Sequence, residues 1–298
     1  MKRLVLLPFF LVLANSVFGL AQVTVKITVT HANKTVSTYT GTDATVGDAC
    51  GKAFSDATLT PQGTTSLSPG DVVQLPAVAS CNIKGHPVTD GLDWPSDLQI
   101  VGMGPKLTTL NPSDGLALSG VNQVFQDLTM EFGKSCCTDG AALGASPTSS
   151  GSFTLKNVNL TTELRCNGPG GISIGSGNVL LDHVNLASAT NAIYVGATGK
   201  VTVRNSTVST FCDSALGGGG VVDVYDSLIT NSADIDDSTL YPMGKVNLYA
   251  GASVVAAPGS RAIGCSGVAI VNIYPGAHIT GSIDKKGDCS INTVPPKK

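Results

Sequence analysis

One short phrase recurs along the chain. VTVRNSTV (201–208) alternates apolar and polar residues, breaks at Asn205, and alternates again. A period of two marks a half-buried strand, and Asn is at home in a tight bend. The same texture appears in VFQDLTM (124–130), FTLKNVNL (153–160), VLLDHVNL (179–186) and VVDVYDSLI (221–229). VNLYAGASV (246–254) and VNIYPGAHI (271–279) carry one residue more at the bend. From Phe153 the equivalent residues at 179, 201, 222, 246 and 271 follow in steps of 26, 22, 21, 24 and 25. DVVQLPA (71–77) and LQIVGMG (98–104) extend the series backwards.

Between the phrases sits a second strand of small residues. It reads DGLALSG (114–120), GGISIGSG (170–177), NAIYVGAT (191–198), DSALGGGG (213–220) and SRAIGCSG (260–267). A period of 20–50 residues predicts a solenoid. The leucine-rich frame and the six-residue beat of the hexapeptide helix are both missing. The expected fold is therefore all-β, a right-handed parallel β-helix of about nine rungs. Asp127, Asn157, His183, Asn205 and Asp226 fall at its corner, where a short polar side chain can bond the backbone of the bend.

The ends read differently. Residues 1–21 have a basic tip, an apolar run and Gly19-Leu20-Ala21, the pattern of a secretory signal with Gln22 as the first mature residue. Residues 22–64 hold two alternating strands and VGDACGKAFSDA (46–57), a short helix suited to capping the core. The helix proper is expected over 65–283, with a charged, proline-containing cap over 284–298. Eight cysteines without a C-x-x-C favour disulfides and an oxidising, extracellular setting over zinc. Cys50–Cys81 and Cys265–Cys289 suit local staples. Net charge is −3 with no basic run, which argues against nucleic acid. No apolar run is long enough for stable membrane insertion.

The strand–Asx–strand texture of 124–229, the opening GDVVQLPA (70–77) and LQIVGMGPKLTTL (98–110) resemble the pectate lyase-like superfamily of parallel β-helices. The resemblance covers residues 65–283 and speaks for the fold, which hosts lyases, hydrolases, esterases and adhesins alike. It implies an extracellular polysaccharide or cell-surface glycan as partner, bound along one face by a monomer. It also points to the residues opening the small-residue strand as the place for chemistry. Those are Asp114, Asn191, Asp213, Asp236, Asp237 and Arg261. Asp213, Asp237 and Arg261 are 24 residues apart each time, about one rung. They could serve as acid and base, and Asp213, Asp236 and Asp237 could hold Ca2+. The flanking motifs R-x-P-x-x-R, G-H-G and Q-D-T of the enzyme families are absent from the chain.

Two function classes follow. One is a non-catalytic scaffold that binds carbohydrate or a surface. The other is a calcium-dependent lyase, or related glycan-cleaving enzyme, acting on a uronate polymer. For binding, Asn191 and Tyr194 stand on the small-residue strand. Tyr225, Tyr249 and Tyr274 end a column that begins Gln126, Lys156, Asp182 and Arg204. Stacked tyrosines can grip sugars; a solvated face is the plainer role for the charges. The four histidines show no triad or metal spacing. Trp94, in DGLDWPSD, reads as a rim element.

Overall fold

The computed structural model describes residues 22–60, 64–83, 94–113, 115–133, 141–145, 151–164, 166, 170–232, 238–265 and 267–296. Residues 1–21, Asp114, Cys136, Cys137, Asp236 and Asp237 lie outside them. Strand makes up 58% of the structure and coils into a parallel β-solenoid of about eight turns, against about nine from the repeats. Parallel crossovers of this kind take a right hand.

Each turn contributes to three sheets. The alternation of each strand sends every second side chain inward, and register stacks these side chains into columns. In the first sheet the column runs Val73, Ile100, Phe125, Leu155, Leu181, Val203, Val224, Leu248. In the second it runs Leu110, Met130, Leu160, Leu186, Val208, Ile229, Val254. In the third it runs Leu116, Leu143, Ile172, Ile193, Leu216, Leu240, Ile263. All of these side chains are buried. Burying one aliphatic side chain contributes about 1.5–3 kcal/mol, so the core is assembled in equal increments along the axis.

The predicted corner column has the geometry its residue types require. Asp127, Asn157, His183, Asn205 and Asp226 have φ of 56°, 52°, 55°, 50° and 43°. The left-handed region costs most L-residues about 1–2 kcal/mol, and Asn and Asp visit it most readily because they bond locally. Asn157 Nδ2 donates to Asp127 Oδ1 of the turn below at 2.7 Å. Ser206 follows the corner and accepts from Val184 N–H at 3.0 Å, while its own N–H donates to Ser227 Oγ at 3.0 Å. The longer phrases turn differently. Ala252 N–H donates to Tyr249 O and Ala277 N–H to Tyr274 O, closing Ala-Gly and Pro-Gly turns with φ of 74° at Gly251 and 87° at Gly276. The extra residue is thus the price of a type II turn, which needs glycine at its third position.

The N-terminal end is covered. Strands β1 (Val23–Thr30) and β2 (Val36–Asp43) form an antiparallel hairpin, and β1 also pairs with Val72–Gln74. Helix α1 (Val46–Thr58) starts at the N-cap Thr45, whose Oγ accepts from Asp48 N–H. Ala49, Cys50, Ala53, Phe54 and Ala57 form its buried face, and the Cys50–Cys81 disulfide ties it to the first turn. Trp94 is a core residue rather than a rim element. It is 5% exposed and lies between Phe54 and Phe125, ring centroids 6.4 and 6.1 Å away. The wide junction between helix and coil needs a large side chain to fill it.

At the other end the coil continues past 283. Ser282–Lys285 extends the third sheet and Ser290–Thr293 the first, so the expected separate cap over 284–298 is largely a further turn. The remaining described disulfides are Cys166–Cys212 and the expected Cys265–Cys289. Three such bridges fit an oxidising compartment. No helix among the described residues is long and apolar enough to cross a membrane.

Because Asn205 holds φ at 50°, Asn205→Val should lower unfolding free energy by about 1–2 kcal/mol in urea titration. Asn205→Gly should cost clearly less, because glycine adopts this backbone freely. Equal losses in both variants would move the stabilisation from the backbone to the side-chain bonds.

Candidate functional site

The outer face of the first sheet carries three parallel columns, spaced by the strand pleat. The first stacks Ser152, Asn178 and Lys200 in register, with Asn122 N–H donating to Ser152 Oγ at 2.8 Å. The second runs Val124, Thr154, Leu180, Thr202, then Asp223, Asn247, Asn272 and Asn292. The third is the predicted column from Gln126 through Lys156, Asp182 and Arg204 to the tyrosines.

Over the N-terminal half the first two columns enclose a groove of about 470 Å³. Asn122, Asn178 and Lys200 supply polar groups, and Val124 and Leu180 supply apolar floor. Over the C-terminal half the second column closes into a chain of hydrogen bonds. Asn292 Nδ2 donates to Asn272 Oδ1 at 3.1 Å, Asn272 to Asn247 at 2.8 Å, and Asn247 to Asp223 Oδ1 at 2.7 Å. Lys200 Nζ reaches Asp223 Oδ2 at 3.0 Å. Every amide dipole therefore points at one carboxylate, an arrangement in which successive bonds strengthen one another. The Asp223 carboxylate, by hydrogen bond and by charge, holds the Lys200 ammonium above its ordinary pKa. The signal for this ladder lay in the repeats: D-V-Y, N-L-Y and N-I-Y end at Tyr225, Tyr249 and Tyr274.

The third column forms as expected, but its rings face one another. Tyr225 and Tyr249 stack at 4.2 Å with planes 1° apart, and Tyr249 and Tyr274 at 4.5 Å with 17°. The ring faces of Tyr249 are thus taken on both sides. Burial, then a hydrogen bond to Tyr225 and the charge of Asp223, push its phenol well above the usual range. Beneath the stack, Arg204 Nη2 donates to Asp182 Oδ2 at 2.9 Å. Asp182 also receives His183 Nδ1 at 2.9 Å and Asn205 Nδ2 at 3.3 Å. Burial pushes this carboxyl up, yet these bonds and the Arg204 charge outweigh it and hold the group below the usual carboxylate range.

The predicted binding residues divide over two faces. Asn191 and Tyr194 belong to the third sheet, away from the tyrosine stack. Asn191 Nδ2 donates to Asp213 Oδ2 at 2.7 Å, and Asp213 holds a φ of 68°. The even 24-residue step proves misleading at Arg261. Register pairs Arg261 with Ser238. The Leu216↔Leu240 offset places Ser238 over Ser214, the residue after Asp213. Arg261 therefore stands one residue along from the Asp213 column, and its Nη1 donates to Asp284 Oδ2 at 2.8 Å. A turn of 23 residues here in place of 24 is the reason. Asp236 and Asp237 lie outside the described residues. Among the described residues no three His, Cys, Asp or Glu side chains converge as metal ligands.

One constellation has no trace in the sequence spacing. His31 Nδ1 lies 3.1 Å from the buried Asp71 Oδ2, and His31 Nε2 lies 2.9 Å from Ser37 Oγ. Asp71 also accepts from Ser68 N–H at 3.0 Å. This chain fastens the tip of the hairpin to the turn that enters the coil, joining residues far apart in sequence.

Comparison with known proteins adds no family. No protein-family model matches the chain, and neither the curated proteins nor the solved structures contain a significant match.

Asp182 gives a pH test. Its folded pKa is lowered, so its contribution is complete above the unfolded value, about 3.9, and is lost as pH falls through the folded value. Asp182→Asn should therefore be less stable than wild type at pH 7, with the gap closing below about pH 4. Urea titrations between pH 7 and pH 2.5 measure this; a gap unchanged with pH would remove the charge from the explanation.

Proposed function

We propose that this is a secreted or surface β-helix protein that binds carbohydrate without cleaving it, using the outer face of the first sheet. The observation that carries this reading is the groove of about 470 Å³ across Asn122, Ser152, Asn178 and Lys200. Its size falls in the range of ligand clefts. Its direction follows the stack, so an extended polymer would meet similar chemistry once per rung, about every 4.8 Å. Asn and Lys side chains bond hydroxyl groups, while Val124 and Leu180 offer apolar surface for C–H faces. The pectate lyase-like resemblance supports the same partner class, an extracellular polysaccharide or cell-surface glycan. The signal-like pattern of residues 1–21 and the disulfides support the same location.

A second reading is calcium-dependent cleavage of a uronate polymer around Asp213. It is favoured by the left-handed backbone at this half-buried acid beside Asn191, since strain gathers at functional sites. It would require Asp236 and Asp237 for the metal.

The test uses residues 22–298, oxidised, with pectate, alginate and neutral glycans, in calcium and in chelator. Binding without new reducing ends is expected. Asn178→Ala or Lys200→Ala should weaken it about three- to tenfold, the worth of one hydrogen bond. Unsaturated products that need calcium and vanish in Asp213→Ala would establish the second reading instead. No affinity for any polymer would end both.

A further inference from the structure

We propose that the outer face of the third sheet holds a separate sugar-ring subsite over Gly217, between Tyr194 and Tyr241, that prefers neutral, hydroxyl-rich rings to uronates. The inference rests on the reading that this protein binds glycans, but it uses a different face and different residues. Tyr194, Gly217 and Tyr241 are successive register partners. The two tyrosines are 42% and 43% exposed, among the most exposed aromatic side chains of the coil.

The glycine leaves a slot. Among the described residues, a Cβ built on Gly217 would meet Asn191 Oδ1 at 3.3 Å and Tyr241 O at 3.7 Å, and no ring atom within 4 Å. The Tyr241 ring leans the other way, its Cδ2 being 3.8 Å from where a Cβ of Gly264 would stand. Tyrosines two rungs apart are about 10 Å apart along the axis. Carbon contacts close at about 3.5–4.0 Å, so the slot has room for one puckered ring beside the tyrosines. The tyrosines of the first sheet, one rung apart, fill one another's faces at 4.2 and 4.5 Å and leave no such space. The difference between a closed ladder and an open slot is one glycine.

The chemistry beside the slot sets the preference. Asn191 commits its Nδ2 to Asp213 and turns its Oδ1 toward the space over Gly217. The groups offered to a ligand are an amide oxygen and a carboxylate, both acceptors. They suit sugar hydroxyls, which donate. A uronate would bring a second carboxylate against Asp213, and like charges at an interface are strongly disfavoured. The one arginine of that strand, Arg261, is engaged with Asp284.

Calorimetric titration of wild-type protein with cellohexaose, mannohexaose and hexagalacturonate tests this. One neutral hexamer should bind at least about tenfold more tightly than hexagalacturonate. Gly217→Leu fills the slot while keeping both rings, and Tyr194→Ala opens one wall. Each should weaken the neutral hexamer about tenfold, near the worth of one well-placed aromatic contact. Gly217 lies outside the left-handed region, and the milder Gly217→Ala keeps the test valid should leucine unsettle the fold. Lys26→Ala, on the exposed side of the N-terminal hairpin, should leave this affinity within about twofold. Unchanged binding in both Gly217 variants, a preference for hexagalacturonate, or no binding of either neutral hexamer would overturn the subsite. Polymer binding that Lys200→Ala weakens and Gly217→Leu leaves intact would overturn it while leaving the groove standing.

Discussion

Strands held in register by backbone hydrogen bonds stand about 4.8 Å apart, and in this chain that spacing governs almost every side chain. Inside, it stacks aliphatic groups at contact distance, so three columns form a continuous core from short strands that could not be stable alone. Outside, it forces like residues together whether they attract or repel. Arg204 therefore sits over Asp182, and the amides of Asn247, Asn272 and Asn292 pass one bond to the next. Charges of one sign in these positions would oppose the stacking that the core demands.

The same spacing explains how the outer surface divides. Side chains one rung apart satisfy each other, as the tyrosines of the first sheet do. Side chains two rungs apart leave room for something else. The C-terminal half of the first sheet is therefore self-satisfied, with its rings and amides already partnered. Small side chains and gaps between side chains keep space open at the groove over Asn178 and Leu180 and at Gly217. Recognition on such a scaffold depends as much on where bulk is missing as on which groups are present.

The two ends meet different needs. At the start, α1, the hairpin and Trp94 bury the first core residues, and His31 fastens the hairpin to Asp71. At the end, Ile279 is half-buried and Ile283 is 45% exposed, because among the described residues no strand pairs on their far side. Stability is thus expected to fall toward the C-terminus, where Cys265–Cys289 closes the final coil.

Residue alternation and the recurring Asx fixed the architecture before any coordinates, because both are local. A strand needs only its own period, and a left-handed corner needs only a residue that tolerates it, as Asp127, Asn157 and Asn205 do. The outer columns were half legible: Asp182, Arg204 and the tyrosines aligned by counting, while the Asp223–Asn292 ladder went unread two residues earlier in each phrase. What counting could not supply was register where the turns change length. A step of 23 residues moved Arg261 off the Asp213 column. Contacts such as Ser37–His31–Asp71 and the slot over Gly217 arise only when distant segments are brought together. The core is set by local periodicity, but the surface chemistry is set by the exact superposition of one turn on the next, and that is a tertiary property.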